Sequence, residues 1–251
     1  MDMLRVLVTG MSGLIGGAVR RQLGDRYTLS ALNRSRVEGV PCHQADIADL
    51  AAIEPAFAGI DVVVHLAARA GGQHPWEEIH RHNVVGTYNV FEAARRAGVR
   101  RVIFASSGAT VSAIEQDPPY DALAGGRYGE VGAWEWLTHL SPLRPAGLYG
   151  VSKAFGEALG RLYADAHGLS VICLRIGNVS AGDRPRVPRE FAVWLSQRDA
   201  VQAIDRAIVA PASVRYAVVF LTSENKWGYR DLAHARHVLG FVPQDRAEDH
   251  R

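Results

Sequence analysis

Near the start of the chain, Leu4-Arg5-Val6-Leu7-Val8-Thr9-Gly10-Met11-Ser12-Gly13-Leu14-Ile15-Gly16 decides the fold. A short apolar run ends at Thr9, and Ile15, Val19 and Leu23 then recur at helical spacing. Strand, glycine-rich turn and helix in this order suit a pyrophosphate. The glycines give a tight turn and close backbone approach, and the helix N-terminus offers N–H groups and a favourable dipole. Glycines alone would mark only a flexible turn, so the flanking strand and helix carry the reading. Gly10, Ser12, Gly13, Leu14, Ile15 and Gly16 are therefore expected to hold a dinucleotide.

The same alternation continues outward. Tyr27–Leu32 reads as a second strand, Asp49–Phe57 as a short helix, and Asp61–Leu66 as a buried strand. A helical pattern runs from Pro75 to Ala97, and Val102–Ala105 is the next strand. This rhythm predicts an α/β fold of Rossmann type: a doubly wound parallel sheet with helices on both faces. Residues 110–148 break it with four prolines, several glycines, Trp134 and Trp136, and read as a long inserted loop with a short helix. Its tryptophans make either an ordered wall or surface packing. Phe155, Leu159, Leu162 and Ala166 then mark the apolar stripe of a helix that Gly168 closes. Ser170–Ile176 is a strand. A helix near Arg198–Val209, a strand at Tyr216–Leu221 and a helix over Asp231–Leu239 follow, and Gln244–Arg251 reads as a solvated tail. The expected organisation is a dinucleotide-binding domain over 1–176 and a small substrate-binding portion over 177–251.

The end of the second strand distinguishes the two nicotinamide cofactors, with an acid for NAD or an arginine for NADP. Asn33-Arg34-Ser35-Arg36 holds no carboxylate, so NADP is favoured over NAD, although Asn33 suits a free ribose. Asp46-Ile47 either lines the adenine site or caps a helix.

Composition narrows the class. The 251 residues are 48% hydrophobic and 22% charged, with a net charge of +2 and no block of like charge, which argues against nucleic-acid or membrane partners. No apolar run is long enough for a signal peptide or a span. Cys42 and Cys173 lack metal-ligand spacing, the histidines are scattered, and a reducing, cytoplasmic setting without a metal is expected.

Among 28 basic residues only two are lysines, and one of them, Lys153, lies four residues after Tyr149. On a helix this spacing sets the two side chains on one face. A free phenol titrates near 10, and bringing it to about 7 takes roughly 4 kcal/mol. One ammonium about 4 Å away at an effective dielectric of ~20 supplies about that much. Lys153 is thus expected to lower the Tyr149 phenol and make it an acid/base.

Thr9-Gly10-x-x-Gly13-x-x-Gly16, His65-Leu66-Ala67-Ala68, Asn83-x-x-Gly86-Thr87, Ser106-Ser107, Tyr149-x-x-x-Lys153 and Leu174-Arg175-Ile176-Gly177-Asn178 occur in this order. In them the chain resembles the extended short-chain dehydrogenases/reductases, the group that includes sugar-nucleotide epimerases and dehydratases. Arg189-x-x-x-x-Trp194-x-Ser196 is similar to the uronate dehydrogenase branch. The resemblance implies a catalytic set of Ser107, Tyr149 and Lys153, braced by Asn83, with Lys153 also on the ribose. Leu66, Ala67, Ala68 and Ile176 would contact cofactor, and Ser107, Gly108, Asn178 and Arg189 would contact substrate. Arg189 would clamp a substrate carboxylate, unless it is a surface arginine of an arginine-rich chain. Two departures fall at the substrate end: Gly108 stands where the branch carries asparagine, and the 110–148 loop is longer. The implied activity is NAD(P)-dependent hydride transfer on a small sugar-derived substrate, with a uronic acid as one candidate. The alternatives are a nucleotide-sugar epimerase or dehydratase and a non-catalytic NAD(P)-sensing protein. Against the first, Gly108-Ala109-Thr110 replaces the dehydratase Asp-Glu pair, and about 75 residues past Ile176 are few for a whole nucleotide-sugar. Such relatives often form homodimers through the helices corresponding to Asn83–Ala97 and Gly150–Ala166.

Overall fold

The structure is a computed structural model that describes residues 3–71 and 73–250. Met1, Asp2, Gly72 and Arg251 lie outside the described residues. In chain order the elements are β1 (Arg5–Thr9), α1 (Leu14–Leu23), β2 (Thr28–Asn33), β3 (Cys42–Gln44), α2 (Leu50–Ile53), β4 (Val62–His65), α3 (Trp76–Glu78), α4 (Gly86–Arg96) and β5 (Arg101–Ser107). Then come α5 (Tyr120–Gly125), α6 (Leu148–His167), β6 (Ser170–Ile176), α7 (Glu190–Val193), α8 (Gln197–Ile208), β7 (Tyr216–Leu221) and α9 (Ala233–Leu239). A π-helical segment, Ile79–Val85, joins α3 to α4.

The seven strands form one parallel sheet in the order β3-β2-β1-β4-β5-β6-β7. Alternate residues of each strand feed two separate cores, as a sheet covered on both faces requires. Val8, Val64, Ile103 and Leu174 pack towards α1, α8 and α9, and Leu7, Val63, Phe104 and Cys173 pack towards α2, α4 and α6. The chain reverses its direction of winding between β1 and β4, which opens a crevice at the carboxyl ends of those strands. The parallel, doubly wound sheet expected from the sequence is present.

Gly10 closes the crevice floor. It has φ +69°, and a Cβ there would stand 2.9 Å from the Ala67 backbone. Only glycine tolerates both constraints without strain.

Three expectations need correction. The helix over 148–167 buries Gly156, Leu159, Gly160 and Tyr163, while Leu162 is exposed and Ala166 faces outward. The stripe read from apolar side chains is rotated, because two glycines on the packing face carry no side chain to reveal it. Residues 244–250 are not a solvated tail. Backbone N–H groups of Gln244 and Asp245 donate to Asp199, Ser196 Oγ donates to Asp245 at 2.6 Å, and Ala247 is fully buried. Asp46 is not the helix cap: Asp49 caps α2 by accepting from Ala52 N.

The 110–148 segment is ordered and built as a wall. Tyr128 stacks on Trp227 at 4.0 Å, and Trp134 Nε1 donates to the Gly228 carbonyl. Leu137 makes a parallel bridge to Arg230: its N–H donates to Tyr229 O at 2.7 Å, and its carbonyl accepts from Asp231 N at 2.8 Å.

Candidate active site

A cleft of about 1080 Å³ runs over the carboxyl ends of the strands. Its lining contains every residue expected from the sequence to act in catalysis or to contact cofactor or substrate, except Asn83. The turn residues Gly10, Ser12, Gly13, Leu14, Ile15 and Gly16 border it, with Asn33, Arg34, Asp46 and Ile47 at the β2–β3 side. Leu66, Ala67 and Ala68 follow β4, and Ser107 and Gly108 end β5. Tyr149 and Lys153 reach it from α6, and Ile176, Asn178 and Arg189 from beyond β6. Asn83 stays outside it.

The floor suits a dinucleotide. The N-terminus of α1 opens onto it at Gly13, which has no side-chain cap, leaving helix N–H groups for an anion. Asn33 is held by Ser12 and Ser35: Nδ2 donates to Ser12 Oγ at 3.0 Å and to Ser35 O at 2.9 Å. Arg34 lines the cleft and makes no hydrogen bond or ion pair to a described residue. Asp46 accepts from Ala48 N and from Arg81 Nη2.

At the other end, Ser107 Oγ accepts from Ala109 N at 3.1 Å, and its interaction with Tyr149 favours the phenolate. Lys153 is 3% exposed. Its Nζ lies 4.9 Å from the Phe104 ring centroid and 5.5 Å from that of Tyr149. Asn83, from the π-helical segment, ties three pieces together. Its Nδ2 donates to Ser152 Oγ at 3.0 Å and to Arg69 O at 3.1 Å, and its Oδ1 accepts from Arg69 N at 2.7 Å. Ser152 sits between Tyr149 and Lys153 in the chain, so Asn83 braces the helix that carries both. His65, buried between the Thr9 and Thr87 hydroxyls, is pushed down to about 3 by burial and by the Lys153 charge, so it is neutral near pH 7.

The electrostatics differ from the expectation. Burial pushes the Tyr149 phenol above its ordinary value near 10, opposed by the Ser107 hydrogen bond. Burial also pushes Lys153 down to about 7. The pair occupies a dry pocket where desolvation of the charged form is the dominant influence on each group. In the protein by itself, proximity to Lys153 does not lower the phenol.

A second cluster borders the substrate end, and most of its members carry no motif in the sequence. Glu115 accepts from Arg189 Nε, from Arg189 Nη2 at 2.8 Å and from Tyr229 OH at 2.5 Å. Burial alone would raise the Glu115 carboxyl, but hydrogen bonds and charge from Arg189, with the Arg230 charge, hold it below the ordinary value. The Nε and Nη2 edge of Arg189 is thereby taken. Asn178 Nδ2 donates to Glu190 at 2.8 Å. Arg230 lines the cleft beside Gly108. Its only signal in the sequence was indirect, in the glycine at 108 and the length of the inserted loop.

Residues 6–197 match the model of the NAD dependent epimerase/dehydratase family. The chain belongs to that family. It is 35% identical to the NAD-dependent glucose-6-phosphate dehydrogenase of Haloferax volcanii, over 97% of this chain and 94% of that one. It is 34% identical to the L-arabinose 1-dehydrogenase (NAD(P)(+)) of the same organism, over 98% of each. The crystal structure of uronate dehydrogenase from Agrobacterium tumefaciens superposes with a TM-score of 0.83 at 35% identity, covering 99% of this chain and 87% of that one. These relatives are named for a phosphorylated, a neutral and a carboxylated sugar at nearly equal identity. Membership of the family therefore carries the reaction type much further than the substrate.

Proposed function

We propose that this protein is an NAD(P)-dependent dehydrogenase that oxidises a small sugar at a hydroxyl-bearing carbon. The supporting observation is the convergence of Ser107, Tyr149 and Lys153 on one end of a cleft whose other end is the glycine turn. Gly10, Gly13 and the N-terminus of α1 would hold the pyrophosphate, and Lys153 the nicotinamide ribose. When bound, the cofactor supplies the acceptor for the hydride that leaves the substrate carbon. Ser107 orients the reacting oxygen, and the Tyr149 phenolate takes the hydroxyl proton. Since burial holds the phenol up, positive charge added at this end of the cleft must bring it into range. Asn83 acts through Ser152, as a positioning residue. Asn178 and Arg189 serve the substrate end.

NADP is the favoured cofactor, because Arg34 reaches the cleft at the end of β2 with no partner of its own and the sequence at that strand end, Asn33-Arg34-Ser35-Arg36, holds no carboxylate. A homodimer is proposed through α4 and α6, which pack together and expose Tyr88, Val151 and Leu162.

The test is reduction of NAD+ and NADP+ by a panel of uronic acids, sugar phosphates and neutral aldoses. Stoichiometric reduction is expected with at least one sugar. Tyr149→Phe should still bind cofactor and lose about a thousandfold or more in kcat, as removal of an acid/base does. Near-normal turnover by that variant would sink the mechanism, and binding without any turnover would favour a cofactor sensor.

A further inference from the structure

Arg230 is 2% exposed. A guanidinium buried this deeply is ordinarily answered by a carboxylate or by several carbonyls. Arg230 has one long hydrogen bond, 3.5 Å from Nη2 to the Gly108 carbonyl. Its nearest carboxylate oxygen, Glu115 Oε1, lies 3.6 Å from Nη2 and already accepts from Arg189 and Tyr229. Nε has no partner. Glu190, which also borders this end of the site, is engaged by Asn178 and the Arg186 backbone. Arg230 shares Glu115 with Arg189, two guanidiniums to one carboxylate, and so brings a positive charge that is only partly answered to the wall of the cleft.

The position is built by the 110–148 loop and by Gly108. The inserted loop brackets Arg230 in the backbone through the bonds of Leu137 to Tyr229 and Asp231. Gly108 makes room for the side chain: a Cβ there would stand 2.2 Å from Nη1 and 2.3 Å from Cζ. The guanidinium therefore occupies space that a side chain after Ser107 would fill, one residue from the reacting hydroxyl's hydrogen-bond partner. The rings of Tyr229 and Phe220, 5.6 and 5.9 Å from Cζ, hold it by cation–π contact, which carries no full negative charge and leaves the guanidinium able to pair with an anion. Arg189, the arginine first assigned to an acidic substrate, has one edge committed to Glu115.

We propose that Arg230 recognises the substrate: its guanidinium binds an oxyanion carried by the sugar, a carboxylate or a phosphate, so that an acidic sugar is selected over a neutral one. This rests on the sugar-oxidoreductase reading. A guanidinium is the side chain whose fork matches both anions, and the dry wall strengthens the pairing.

The test compares the full chain with Arg230→Gln and Arg230→Lys, using glucuronate, glucose 6-phosphate and glucose as probes. Affinity is measured by calorimetry with cofactor present, and kcat/KM by cofactor reduction. The acid-to-neutral ratio of the wild type should fall about a hundredfold in Arg230→Gln, the size seen when one partner of a buried charge pair is truncated, and recover in part in Arg230→Lys. Whichever acid loses its advantage identifies the anion. An unchanged ratio in Arg230→Gln, or equal binding of all three sugars by the wild type, overturns the proposal. If Arg230→Gln fails to fold, Gly108→Ala tests the same contact by displacing the guanidinium, and retention of the full acid preference there overturns the proposal equally. Selective binding of an acid through Arg230 without cofactor reduction would sink the oxidoreductase reading and leave this one standing. Cofactor reduction with a ratio indifferent to Arg230 would do the reverse.

Discussion

At the residue scale the central tension is Lys153, an ammonium held where water cannot reach it. Burial lowers its pKa from 10.5 to about 7, so keeping it charged costs the fold up to about 5 kcal/mol. The sign follows from proton binding. Between the folded value near 7 and the unfolded 10.5 the unfolded chain binds more protons, so this group makes stability rise with pH across that window. Below about 7 both states are protonated and the whole penalty is felt. Lys153→Met keeps the length of the side chain and removes the charge. It should raise the denaturant midpoint at about pH 6.5, with a gain that shrinks towards pH 10, while abolishing turnover. Urea titrations at several pH values check this, and a variant less stable at low pH would show that the charge is compensated in the fold. Tyr149 and Lys153 were legible because their spacing is local and lysine is scarce. Arg230 was not, since it is one of many arginines and its meaning depends on a glycine 122 positions away.

At the element scale, α6 must deliver Tyr149 and Lys153 to the ends of β5 and β6. One turn beyond Lys153 it anchors to the sheet. Arg175 of β6 donates from Nε and Nη2 to Glu157, both at 2.9 Å, with the two side chains 3% and 5% exposed, and Ser106 of β5 adds a third bond. Removing one member strands the other in a dry core. Arg175→Met should cost about 3–5 kcal/mol of stability, whereas the double variant Glu157→Met/Arg175→Met should regain much of it. A double-mutant cycle by chemical unfolding measures this, and additive single effects would mean that the bidentate pair is not coupled. The motif containing Arg175 was visible in the sequence, but its partner was not, because Glu157 and Arg175 meet only when helix and strand pack. The helix itself was placed correctly and its buried face misassigned. Gly156 and Gly160 face the sheet, where a Cβ would stand 2.3 Å from Phe104 and 2.8 Å from Val171. A periodicity count reads apolar side chains and cannot register a face packed through their absence.

At the scale of the whole molecule, the chain beyond β7 closes back over the start of α8, the helix between β6 and β7. Asp199 at the start of α8 is fully buried and accepts from Ser223 Oγ at 2.6 Å, from Gln244 N at 2.8 Å and from Asp245 N at 3.3 Å. Asp245 in turn accepts from Ser196 Oγ and is paired with Arg198, and Ala247 N donates to Asn225 Oδ1 at 3.1 Å. The polar composition of 244–251 reads as a solvated tail, but Gln244, Asp245 and Ala247 answer buried partners that are distant in sequence. A chain ending at residue 243 would leave the Asp199 carboxylate with Ser223 and lose the buried Ala247 together with its hydrogen bond to Asn225. Losing two hydrogen bonds to a buried charge should cost about 2–4 kcal/mol. For a chain of this size that is a fall of roughly 5–15 °C in Tm. Cofactor affinity should hardly change, since none of residues 244–250 lines the cleft. Thermal unfolding followed by circular dichroism, with the full chain beside the truncated one, decides the matter: coincident transitions would mean that the segment contributes nothing to the fold, whatever its hydrogen bonds.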